Sequence, residues 1–223
     1  MCWEAAKFIG NLMKGVDAGT KQRYRTEPAR GAAVTGIRDS EAGKVRNGRP
    51  VGEWAVRVDK SDPGTRQPHI NTNEKLVNKQ HNLSGANKYT DPHTKISSKT
   101  LGALKTTGQT IDAISKVAKS VAIATDAVRL GAAVQQDGGT VGENTITTAG
   151  SVAGGWGGAW AGAAIGAKGG AIVGSFFGPG PGTAIGGFVG GLGGGIIGSF
   201  VGSEVGEAAA RAAVPLIIEE DKK

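Results

Sequence analysis

Glycine stands at every fourth position from residue 150 to residue 206 without a gap: Gly150, Gly154, Gly158, Gly162, Gly166, Gly170, Gly174, Gly178, Gly182, Gly186, Gly190, Gly194, Gly198, Gly202 and Gly206. Residues four apart share one face of an α-helix. The register therefore predicts helices with a bare stripe along which a second backbone makes contact. Pro179-Gly180-Pro181 interrupts it and breaks any helix, while Gly178 and Gly182 hold the phase on either side. The expected structure is a hairpin of two helices, roughly 146–177 and 183–212, turning at Gly178 to Gly182.

Such helices are costly. Each glycine gives up about 1 kcal/mol of helix propensity relative to alanine, so ten in one helix cost on the order of 10 kcal/mol. Two environments offset this: lipid, where every backbone group must bond internally, and close backbone-to-backbone packing. The charge pattern points to lipid, since Lys168 is the only charged residue between Thr145 and Ser203. Thr183 to Ser203 is an uncharged run of 21 residues, which as a helix spans roughly 30 Å, the hydrocarbon thickness of a bilayer. The first hairpin helix is long enough as well. Its Trp156 and Trp160 are expected at one membrane interface and Phe176 and Phe177 near the other. Lys168 is expected to face a water-filled lumen, to pair with Glu204 or Glu207, or to snorkel. A period of four drifts about 40° per repeat against 3.6. Either the two helices wrap around each other, or each meets several neighbours, as in a multi-chain assembly.

The rest of the chain obeys different physics. Residues 1–100 hold 18 lysines and arginines against 10 acidic residues, whereas residues 101–223 hold 8 against 9. Three segments follow: a basic, polar region 1–96, an amphipathic helix in 97–140 and the zipper hairpin in 141–223. The fold class is mainly α, with a small irregular N-terminal part containing a β-hairpin at 52–73. In the middle segment Leu104, Ile111, Ile114, Ala118, Val121, Ala124 and Val128 form an apolar seam, and Asp137-Gly138-Gly139 ends that helix. Phe8, Ile9, Leu12, Met13 and Val16 mark a short helix at the front, and no secretory signal is visible there. Gly19 to Pro50 reads as loop or linker, and His81 to Pro92 as irregular.

One cysteine, Cys2, excludes a disulfide scaffold and a cysteine zinc site. No P-loop, serine elbow or metal-ligand spacing is present, so neither cofactor nor metal is expected. The remaining chemistry lies in the hairpin of Gly52–Asp59 and Pro68–Asn73, which sets His69 opposite a strand carrying Glu53, Arg57 and Asp59. Histidine serves as general base and arginine holds phosphate, a set that suits a small basic ribonuclease. A surface or capping histidine fits the same pattern. His93, after Asp91-Pro92, reads as a turn residue.

The run Gly154-Gly155-Trp156-Gly157-Gly158-Ala159-Trp160-Ala161-Gly162-Ala163-Ala164-Ile165-Gly166 resembles the glycine-zipper segments of bacterial polymorphic toxins and secreted membrane-active effectors. Trp54-Ala55-Val56-Arg57-Val58-Asp59 with Pro68-His69-Ile70-Asn71 resembles short toxin-associated modules. The resemblance implies membrane insertion, pore formation or delivery of a toxic domain. Three functions stay open: an oligomeric pore-forming toxin or effector with a transmembrane zipper hairpin; a ribonuclease-type toxin using His69 and Arg57 with the zipper for entry; and a self-assembling structural protein. A soluble α-bundle is the plain alternative. The expected partners are anionic membrane lipids and further copies of the chain, with nucleic acid for the second reading. The expected location is secreted or delivered without a signal peptide, and membrane-associated when active.

Overall fold

A computed structural model describes residues 2–27, 29–91, 93–178 and 180–220. The chain is mainly α, with a small antiparallel sheet in its first hundred residues. The five helices are α1 (Cys2–Thr20), α2 (Glu74–Gln80), α3 (Ser98–Gln136), α4 (Glu143–Phe176) and α5 (Pro181–Glu220). Strands β1 (Tyr24–Glu27), β2 (Ala33–Asp39), β5 (Glu53–Asp59), β6 (His69–Thr72) and β7 (Thr94–Lys95) pair in that order, and β3 (Val45–Arg46) pairs with β4 (Arg49–Pro50). The middle helix and the hairpin stand where the sequence puts them, with α3 ending before Gly138 and Gly139, both at positive φ, but the expected seam is not its buried face: Ile114, Ala124 and Val128 are exposed, while Ala118, Ala122, Asp126, Arg129 and Ala133 are buried.

The front is more ordered than its composition suggests. The expected linker 19–50 contains four strands, and the hairpin of 52–73 is the centre of the five-stranded sheet. Asn47 (φ 50°) and Gly48 (φ 73°) form the left-handed pair that turns β3 into β4. Part of the expected irregular stretch is preceded by α2, which Asn73 caps by accepting from the Leu76 N–H at 3.1 Å.

By its contacts the chain divides into two compact units. The first takes Met1–Gly19, Ser115–Gly166 and Leu192–Lys223, a bundle of α1 with parts of α3, α4 and α5. Its apolar core is small, Ala18 against Ala159 and Ala163, and α1 approaches so closely that a Cβ on Gly15 would overlap the Ile196 backbone. The second takes Thr20–Ile114 and Ala167–Gly191. There Tyr24, Ala55, Val56 and Leu76 pack with Ala184 and Phe188, flanked by Ile37, Ile70, Ile111 and Ala171.

Candidate functional site

Within each unit the glycine stripes of α4 and α5 meet each other. Gly154 faces Gly202, Gly158 faces Gly198 and Gly162 faces Gly194 in the first unit; Gly170 faces Gly186 and Gly174 faces Gly182 in the second. At every one of these positions a Cβ would overlap the carbonyl oxygen opposite. The paired numbers sum to a constant, so the helices run antiparallel in one register. Of the two packings the drift allows, each stripe takes a single partner helix, and the stripe is filled within the chain.

The outer faces are the reverse. Ile185, Val189, Ile197, Val201 and Val205 of α5 are exposed, again at steps of four or eight, as are Ile165, Ile172 and Val173 of α4. Phe176 and Phe177 at the tip are 82% and 87% exposed. Residues 181–218 are long and apolar enough to cross a membrane, and only 33% of that helix's apolar stretch is buried. A core helix of a soluble domain would be buried for most of its length. Helix α4 does not meet the same standard among the described residues, contrary to the expectation of two spanning helices. Its apolar residues are mostly alanine and glycine, which remove little surface from water.

Polar side chains sit inside the first unit. Lys14 on α1, fully buried, donates to Asp126 on α3 at 2.7 Å. Trp156 Nε1 donates to the other Asp126 oxygen at 2.9 Å. Arg129 Nη2 donates to Ser151 at 2.9 Å, and Ser151 bonds Ser203 at 2.7 Å. Burial pushes the Lys14 amine below its ordinary value despite Asp126. Trp156 thus joins an internal network, while Trp160 is exposed. Lys168 is exposed on α4. In the first unit Glu204 and Glu207 are held by Lys7, at 2.7 Å and 2.9 Å. Lys7 is close enough to reach both carboxylates at once, and although burial opposes it, their hydrogen bonds raise its amine above the ordinary value.

In the second unit β6 sets His69 opposite Asp59 and Asn71 opposite Arg57. His69 is buried, with Nδ1 within 3.0 Å of the Gln67 carbonyl and Thr65 Oγ1, and Nε2 3.1 Å from Asn71 Nδ2. Both ring nitrogens are engaged, so this imidazole holds the strand pair together. Beside it opens a cleft of about 450 Å³ lined by Glu53, Trp54, Arg57, Asn71, Lys75 and His93, among others. Sequence reasoning placed Glu53 and Arg57 there and missed His93, whose φ of +46° is the signal only a structure gives.

Comparison with family models, with curated proteins and with solved structures gives no match.

Proposed function

We propose that the protein is a membrane-active toxin or effector whose zipper hairpin inserts into a bilayer and assembles with further copies into a pore. The observation that carries this reading is α5: a helix of spanning length, mostly unburied, with an exposed Ile/Val stripe and two exposed phenylalanines at its hairpin turn. In lipid the interhelical glycine contacts remain available and the stripe faces acyl chains. Cations favour an anionic surface at about 1 kcal/mol per well-placed residue. Arg30, Lys60 and Lys105 line one groove of the second unit, together with no acidic residue.

The test is dye release from anionic and neutral vesicles by the full chain, with Ile197→Asp and Val201→Asp beside it. Both side chains are exposed, so the lipid-free fold tolerates the change. An aspartate at the bilayer centre costs about 2.5–3.5 kcal/mol. The expected result is release from anionic vesicles by the unaltered chain, at least tenfold less by the variants, and an unchanged Tm. No release by the unaltered chain, or full release by the variants, overturns the reading.

A further inference from the structure

Residues four apart share a side of a helix, so α5 in the first unit presents four rows of side chains, and the lipid-free fold treats each differently. The glycine row meets α4, and the row of Ile197, Val201 and Val205 is exposed. A third row, Ile196, Phe200 and Glu204, lies under α1. The fourth holds Gly195, Ser199, Ser203 and Glu207, and both serines are wholly buried. Its counterpart on α4 is Ser151, Gly155, Ala159 and Ala163, which carries no charge and no side chain larger than serine. Ser151 and Ser203 bond each other at 2.7 Å, and a Cβ on Gly195 would stand 3.2 Å from that of Ala163, so the two rows make one face. Helix α1 covers it, with Asn11 on Gly155, the Gly15 carbonyl on Gly195, and Ala18 against Ala159 and Ala163.

The cover leaves polar groups without partners. The Ser199 hydroxyl and both polar atoms of the Asn11 amide are buried and make no hydrogen bond. The same holds for Nε and Nη1 of Arg129, whose Nη2 reaches Ser151. Buried polar groups ordinarily find partners. Five orphaned atoms on and beside one face mark a surface suited to water more than to the side chains now packed on it. Acyl chains would serve it no better, because hydroxyls find no partner in hydrocarbon.

We infer that this face, once α1 has left it, becomes the water-facing wall of the pore, and that the pore passes cations in preference to anions. This rests on the membrane reading above and names what crosses. Departure of α1 takes Lys7 from Glu204 and Glu207. Arg211, 3.2 Å from Glu207, answers one carboxylate, and the other is left without a counter-charge. The wall itself is neutral from Ser151 to Ala163 and from Gly195 to Ser203, so the carboxylates at its end set the sign. Repeated around an assembly, they form a ring of the kind that admits cations. Lys168, the one charged residue between Thr145 and Ser203, falls in the row of Trp156 and Trp160 and not in this one.

Two cysteine variants of the full chain, in a Cys2→Ser background, test the wall. Serine and cysteine differ little in size, and Ser199 has no hydrogen bond to lose, while Val201 is 57% exposed, so both variants keep the fold. In buffer a charged, water-borne thiol reagent is expected to label Val201→Cys and to spare Ser199→Cys. In vesicles of phosphatidylcholine and phosphatidylserine the order is expected to reverse. Selectivity is read in planar bilayers of the same lipids under a KCl gradient. The reversal potential is expected to give a potassium-to-chloride ratio of about ten, the low end of the enrichment that an opening of one charge sign produces. Glu204→Gln with Glu207→Gln is expected to lower that ratio several-fold in the same membrane, where the lipid's own charge is unchanged. Current through a pore that leaves Ser199→Cys unlabelled, a ratio at or below one, or a ratio the double variant does not alter overturns the inference and leaves the membrane reading standing. No current from the unaltered chain overturns both.

Discussion

Gly157 and Gly158 are neighbours on α4, and they are expected to respond to alanine in opposite ways. A Cβ on Gly158 would run into the Gly198 carbonyl, backbone against backbone, whereas nothing lies within 4 Å of a Cβ on Gly157. Gly158→Ala is expected to destabilise the chain by at least about 1–3 kcal/mol, the usual range for overpacking. Gly157→Ala recovers helix propensity and stabilises by up to about 1 kcal/mol. Thermal unfolding of the two variants decides it, and equal Tm values would show that the stripes do not touch. Asp137 offers a test by pH. Desolvation pushes its carboxyl up, but five hydrogen bonds from Gly142, Asn144 and Thr145 win and hold it at about 2. A depressed carboxylate stabilises the fold above its ordinary value of 3.8, and that contribution disappears as pH falls from there through about 2. Carbon-13 titration of Asp137 is expected to give a midpoint near 2, and Asp137→Ala to fray the start of α4 and flatten stability over that window.

At the scale of elements, legibility follows the range of the cause. Helices α3, α4 and α5 were legible because periodicity, breakers and glycine ends act within a few residues. Strands β1 and β2 were not, since what makes them strands is remote: Gly36 is required because Val56 of β5 leaves no room for a Cβ, and Arg38 reaches Glu27 at 2.5 Å. The Asn47-Gly48 turn was a local signal that a strand reading of its polar flanks would have used. The site divides the same way. Arg57 opposite Asn71 followed from the strand pair, but the Ala55 bulge, which brings Trp54 to the face of Arg57 and turns Glu53 to the other, depends on pairing across the sheet. The buried Lys14 was likewise hidden, because it lies off the apolar face of α1 and finds Asp126 on a helix 112 residues away. Removing one partner of such a pair strands the other, so Lys14→Ala is expected to cost about 3–5 kcal/mol. Lys14→Met with Asp126→Leu removes both charges of the pair but also takes Asp126 from Trp156 Nε1 and from Arg129, so it is expected to cost less than the sum of the two single changes. Denaturant unfolding of the single and double variants measures the difference, and additive losses would show that the pair does not interact.

On the proposed membrane reading, α5 enters the bilayer only after its cover in the first unit moves. In the first unit α1 covers it: Gly15 lies on Ile196, Phe8 stacks near Phe200 at 5.4 Å, and Lys7 holds Glu204 and Glu207. Helix α1 cannot follow α5 into hydrocarbon cheaply, since Lys7 and Lys14 would each cost about 2.5–3.5 kcal/mol there. Insertion therefore requires α1 to leave the hairpin, and its two lysines then become free for anionic headgroups. A covalent tie makes this measurable. A Cβ on Gly155 of α4 would stand 3.1 Å from the Asn11 amide oxygen of α1, so Asn11→Cys with Gly155→Cys, in a Cys2→Ser background, brings two thiols within reach of a disulfide. The oxidised chain is expected to release no dye from anionic vesicles, and a reductant to restore release within the same sample. Leakage that is equal before and after reduction would mean that the hairpin inserts with α1 still attached, and that the buried lysines serve the lipid-free bundle alone.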